Sequence, residues 1–94
     1  MYTSMKDMLL HARDHQYAVM AVNVVNMEQV KACIESAVEE HSAVILNISP
    51  RQMKAHAYPQ IMAPMVKHMA EQVCVPIALN IDHGVNMEDI TQAI

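Results

Sequence analysis

Near the end of the chain, Asp82-His83-Gly84 joins a carboxylate that can carry a proton to an imidazole that can carry a proton or bind a metal. Gly84 is the sole glycine among 94 residues, against an average usage of about 7%, and it stands where a sharp turn calls for a permissive backbone. Side chains of adjacent residues diverge, so one can hold a metal while the other faces a substrate. The competing structural reading makes Asp82 a turn cap and His83 an ordinary, partly buried histidine. Two further polar residues close apolar runs, Asn23 and Ser49; the one can cap a strand end and the other a helix start. His11 and His15 are four apart, a metal-binding spacing, but with no third ligand nearby they are expected to be exposed and without a role. Cys33 and Cys74 match no metal-type pairing and sit in apolar stretches, which predicts two reduced structural thiols.

The elements that must position these residues follow from periodicity. Met5, Met8, Leu9 and Ala12 mark one face of a short helix over residues 4–15, with Ser4 and Asp7 in the pattern of a capping box. Tyr17 to Val22, Ala43 to Ile48 and Pro76 to Ile81 are short continuous apolar runs, the pattern of strands buried on both faces. Between the first two, Asn26 can cap a helix whose apolar face runs through Val30, Ile34, Ala37, Val38 and His41. Ser49-Pro50-Arg51-Gln52 reads as a cap, a proline at the first helical position and a glutamine at the third, so a short helix is expected there. Because a proline deep inside a helix costs about 3 kcal/mol, the next long helix is expected to begin near Pro64, with Met65, Val66, Met69, Ala70 and Val73 as its apolar face. Asn86 with Asp89 three residues on starts a last helix. Strand starts near residues 17, 43 and 76 fit βαβ units and a parallel sheet. In such folds ligands bind beyond the carboxyl ends of the strands, where Asn23, Ser49, Asp82 and His83 all fall.

Composition narrows the function classes. With 53% hydrophobic and 17% charged residues the chain is built to bury surface, and ten methionines supply the bulk that its absent phenylalanines would. The net charge is -4 and the six Lys and Arg are scattered, so no nucleic-acid partner is expected. The longest apolar stretch, Val73 to Leu79, is seven residues, far short of the roughly 20 that span a bilayer. No membrane association is expected, and without a secretory pattern at the N-terminus the expected location is cytoplasmic.

Beyond the tripeptide, Ser4-Met5-Lys6 with Met8-Leu9, then Tyr17-Ala18-Val19, Asn23-Val24, Val44-Ile45-Leu46 and the block Val75 to Gly84 fall in one order and spacing. Together they resemble the start of the class II fructose- and tagatose-bisphosphate aldolases. The resemblance covers the whole chain, and its final block is the most specific part. It implies an α/β fold, the N-terminal portion of a (β/α)8 TIM barrel with about three βα units preceded by a short helix. Residues 1–94 would then be an N-terminal fragment of a single TIM-barrel aldolase domain, inactive alone. The implied activity is zinc-dependent, reversible cleavage of a ketose 1,6-bisphosphate to dihydroxyacetone phosphate and an aldehyde, a reaction of carbohydrate metabolism such as glycolysis. By the same resemblance His83 is a zinc ligand, Asp82 the catalytic general acid/base, and Asn23 and Ser49 contact the sugar bisphosphate substrate. A homo-oligomer is implied at full length.

The chain also departs from that family. Ser49-Pro50-Arg51 replaces the usual Ser-Glu-Gly, Met20 stands for a small residue or proline, Val22 for phenylalanine, and Asn80 for a frequent histidine. Arg51 could add charge for a phosphate, although an exposed first-turn arginine is ordinarily just solvated. The remaining zinc ligands, another catalytic acid and the Gly-rich phosphate loops are not within these residues. A different class of function is a non-catalytic α/β module that assembles through its open sheet edges.

Overall fold

Short apolar runs separated by amphipathic stretches give three strands and five helices, in the order α1 (Met5–Asp14), β1 (Met20–Asn23), α2 (Met27–Glu39), β2 (Val44–Ile48), α3 (Pro50–Ala55), α4 (Pro59–Glu71), β3 (Ile77–Ile81) and α5 (Met87–Ala93). The computed structural model describes all 94 residues. As the βαβ spacing predicts, the strands form one parallel sheet in the order β1-β2-β3. Its register sets Ile45 beside Ala21 and Ala78, and Asn47 beside Asn23 and Asn80.

Helices α2 and α4 cover one face of the sheet. Val30, Ile34 and Ala37 of α2 and Met62, Val66 and Ala70 of α4 pack with Val44, Leu46, Ile48 and Ile77 in a core of 13 buried residues. Leu46 and Ile77 have no exposed surface, and burial of each side chain contributes about 2 kcal/mol relative to exposure. Side chains alternate across a strand, so Ile45 and Ala78 point to the opposite face, where Met8 of α1 covers them. That second face is apolar only toward the amino ends of the strands. Two residues further on, the same face carries Asn23, Asn47 and Asn80.

Local chemistry fixes the helix ends. The Asn26 side chain accepts from the Gln29 N–H at 3.0 Å, which satisfies one orphan donor of α2, and the Gln29 side chain in turn accepts from the Val25 N–H just before the helix at 2.9 Å. At the other end His41 takes a left-handed φ of 51°. Its N–H meets the Val38 carbonyl at 3.1 Å while the Ser42 N–H meets that of Ala37 at 2.9 Å, the paired bonds of a Schellman motif more often closed by glycine. Ser49 caps α3 with Pro50 at its first position, and Asn86 caps α5, both as expected from the sequence.

Four expectations are corrected. Ser4 precedes α1, but its side chain makes no cap hydrogen bond, so the Ser4/Asp7 capping box does not form. The first strand lies at Met20–Asn23 rather than from Tyr17, and it is largely exposed, Met20 at 72%, because β2 is its only strand neighbour. Helix α4 begins at Pro59 and carries Pro64 inside it; Pro59 occupies the first turn, where no N–H is needed, and the added turn buries Met62 to 5%. Both thiols are free, as expected, but Cys74 is exposed rather than packed in an apolar stretch, while Cys33 is half-buried. Burial pushes the Cys33 thiol above its ordinary value. At the far edge, residues 1–3 begin a parallel pairing with β3 through Tyr2 and Ile77. No helix is long and apolar enough to cross a membrane.

Candidate active site at the carboxyl end of the sheet

Parallel strands deliver their last residues to one edge, and here that edge collects the candidates in tiers. Asn23, Asn47 and Asn80 occupy matching register positions of β1, β2 and β3. The register continues through Ile48 and Ile81, and the Asp82 N–H then donates to the Ile48 carbonyl at 2.9 Å. One further step sets Ser49 opposite Asp82, on the face that carries Asn47 and Asn80. The sheet thus brings three of the four candidates to one end, with Asn23 a tier below on the exposed edge strand.

Past Asp82 the chain turns. His83 has a φ of 57°, whereas Gly84 is not in the left-handed region. The permissive backbone expected at Gly84 is therefore supplied one residue earlier, by a histidine. Gly84 matters instead for space: a Cβ there would lie 3.2 Å from Cγ1 of Ile90 and 3.6 Å from Cδ1 of Ile81. The same turn brings the His83 ring back toward its neighbour, with Nε2 3.6 Å from Oδ2 of Asp82. The two side chains converge rather than diverge, because the left-handed residue breaks the alternation of an extended chain. His83 is 83% exposed at its side chain and Asp82 33%, so both are open to a ligand.

Ser49 is already engaged, its hydroxyl oxygen accepting from the Gln52 N–H at 3.4 Å, a long bond that leaves the hydroxyl proton free to donate. His11 lies on α1 and His15 caps its carboxyl end, away from this site, and both are exposed as expected. Their rings stack at 4.0 Å, the Nδ1 of His11 lies 2.9 Å from the Tyr17 hydroxyl, and that of His15 donates to the His11 carbonyl at 2.9 Å. Arg51 is exposed on the first turn of α3.

Nowhere do three or more His, Cys, Asp or Glu side chains gather in a way that could hold a metal ion. A catalytic zinc takes three protein ligands. These 94 residues do not make a metal site; at the strand ends they offer the imidazole of His83.

Two features escape a reading by motif. Asn80 donates through Nδ2 to Oδ1 of Asn47 at 3.0 Å, directly beneath Asp82 and Ser49; the signal for it is that each asparagine precedes a candidate residue by two. Asp89 is buried to 4% exposure, yet it meets Lys54 of α3 at 2.9 Å and the Asn86 side chain at 2.9 Å. The hydrogen bond from Lys54 holds the Asp89 carboxyl below its ordinary range, against the opposing effect of burial, and the same bond raises Lys54. This brace joins the helix that follows Ser49 to the helix that follows Gly84.

Known proteins are similar to this chain in sequence and in fold. A family model described as fructose-bisphosphate aldolase class-II matches residues 3–94. The chain is 37% identical over 86 residues to the fructose-bisphosphate aldolase of Mycoplasma pneumoniae, a match covering 89% of this chain and 30% of that protein. It is 35% identical over 95 residues to the 6-phospho-5-dehydro-2-deoxy-D-gluconate aldolase of Bacillus licheniformis, covering 99% of this chain and 32% of that one. Its structure is similar to that of the YdjI aldolase of Escherichia coli K12, with a TM-score of 0.87 at 28% identity over 99% of this chain and 35% of the other. The chain spans about a third of the length of the curated relatives it matches. With its parallel α/β sheet and the Asp82-His83-Gly84 turn at that sheet's carboxyl end, the chain belongs to the class-II fructose-bisphosphate aldolase family.

Proposed function

We propose that these residues form the first βα units of a (β/α)8 barrel that cleaves a ketose 1,6-bisphosphate reversibly to dihydroxyacetone phosphate and an aldehyde. The observation that carries this reading is the continuation of the β2–β3 register, which sets Ser49 opposite Asp82 with His83 Nε2 3.6 Å from the carboxylate. A proton carrier, a free imidazole and a hydroxyl then share one end of the sheet. Asp82 accepts the proton of the C4 hydroxyl as the C3–C4 bond breaks and the aldehyde forms, and returns it in the condensation direction. Asn23 and Ser49 orient substrate oxygens through an amide and a hydroxyl. His83 gives one nitrogen to a zinc site whose other ligands lie outside these residues. Zinc, when bound, supplies a Lewis acid for the ketone carbonyl.

Family membership supports the aldol chemistry and leaves the ketose open: the two relatives compared above are named for different aldol substrates. The test uses the longest natural chain that carries these residues. It is expected to contain zinc and to cleave fructose or tagatose 1,6-bisphosphate, and Asp82→Asn is expected to lower kcat about 100-fold or more. A protein that binds no metal and cleaves no ketose bisphosphate sinks the proposal. The 94-residue chain alone, with a single candidate ligand, is expected to give no turnover.

A further inference from the structure

Between the apolar tier of Ile45 and Ala78 and the tier of Ser49 and Asp82 lies a polar one whose amides bond to each other. Asn80 Nδ2 donates to Asn47 Oδ1 across 3.0 Å, and both residues are half-buried. Turning both amides over together exchanges donor and acceptor and keeps the bond, whereas turning one alone would set like atoms against each other, so the pair is matched as it stands. Its placement is what matters. The backbone ladder between β2 and β3 closes where the Asp82 N–H meets the Ile48 carbonyl at 2.9 Å. Beyond that bond one chain enters α3 and the other enters the left-handed turn at His83. Asp82 and Ser49 thus stand at the end of a ladder, where opening is easiest. A side-chain bond one tier beneath them, on their own face, resists that opening.

We propose that Asn47 and Asn80 are positioning residues: their mutual hydrogen bond keeps the carboxyl ends of β2 and β3 together, so that Asp82 and Ser49 hold a fixed relative placement. Neither amide is assigned a contact with the reacting atoms. The inference rests on the aldolase reading for its catalytic consequence, but its structural part is measurable without turnover.

The experiment compares wild type, Asn47→Ala, Asn80→Ala and the double variant in the longest natural chain, by amide-resolved hydrogen exchange and by steady-state cleavage of fructose 1,6-bisphosphate. The Asp82 N–H is expected to exchange about tenfold faster in each single variant, and no faster in the double, because both substitutions remove the same bond. The Val44 N–H, which closes the opposite end of the ladder on the Pro76 carbonyl at 3.1 Å, is expected to keep its wild-type rate. Asn47→Asp, which leaves an acceptor for the Asn80 amide, is expected to keep the wild-type rate at Asp82. In turnover, kcat is expected to fall about tenfold while KM stays within about twofold. An unchanged rate at Asp82 overturns the proposal, as does an equal rise at Val44, which signals general loss of stability. Wild-type kinetics in all three alanine variants of an active enzyme overturn it as well, with the aldolase reading intact. A wild-type protein that cleaves no ketose bisphosphate defeats the aldolase reading, and the exchange rates at Asp82 and Val44 then decide whether the amide pair positions the strand ends.

Discussion

His83 carries two demands at one position, a free ring nitrogen and a left-handed backbone at φ 57°. That conformation costs a residue with a Cβ about 1 kcal/mol or more, and such strain collects where function holds it in place. Asparagine tolerates the left-handed region better than most residues, so His83→Asn separates the two demands. The variant is expected to keep the melting temperature of the wild type while the zinc content of the longest natural chain drops. Undiminished zinc in that variant would show that His83 is not a ligand. The tripeptide is legible in the sequence because a proton carrier, an imidazole and a lone glycine fall together at the end of an apolar run. The division of labour inside it is not. The need for a glycine at position 84 depends on Ile90 and Ile81 crowding it, and the Ile90 contact exists only once α5 has folded back. The Asn47–Asn80 bond is hidden for a similar reason: it joins residues 33 apart, and only the register makes them neighbours.

Helix α4 shows how burial overrides a local rule. Pro64 removes one backbone donor and crowds the carbonyl four residues before it, yet the helix runs through it from Pro59 to Glu71. The early turn survives because Met62 is buried on it at 5% exposure, and Pro59 is preorganised for the first position. Pro64 itself is exposed, so replacing it disturbs no packing. Pro64→Ala is expected to stabilise the chain by about 2 kcal/mol, the helix-interior cost less the entropy that proline removes from the unfolded state. Chemical denaturation would show this as a higher midpoint at unchanged slope; a lower midpoint would mean that the proline shapes α4 to its neighbours. Strands β2 and β3, the caps at Asn26, Ser49 and Asn86, and the parallel order are all readable in advance, since each rests on a short run or on residues three apart. The exposure of β1 is not, because a strand is buried by its neighbours, and Met20–Asn23 has only β2 beside it.

At the scale of the whole molecule, the sheet edge that carries Ser49 and Asp82 is closed from outside by one ion pair. Lys54 reaches from α3 to Asp89 on α5 at 2.9 Å, and Asn86 meets the other carboxylate oxygen at 2.9 Å. With Asp89 only 4% exposed, loss of either partner leaves a buried charge or an unmade bond. The hydrogen bond from Lys54 is the main cause that holds the Asp89 carboxyl below its ordinary 3.8, with burial acting in the opposite direction. The folded chain therefore releases this proton more readily than the unfolded chain. Its contribution to stability is in place above pH 3.8 and is lost as pH falls through the lower native value. Lys54, raised above its ordinary 10.5, keeps its share up to that pH and loses it as pH rises further. Asp89→Asn keeps the shape and removes the charge. The melting temperature of the wild type is expected to exceed that of the variant throughout the range from 3.8 to 10.5, and the gap is expected to close as the solution becomes more acidic. A gap that stays constant through that descent would assign the residue's contribution to packing and to its bond with Asn86, and α3 and α5 would then be held together without the help of charge.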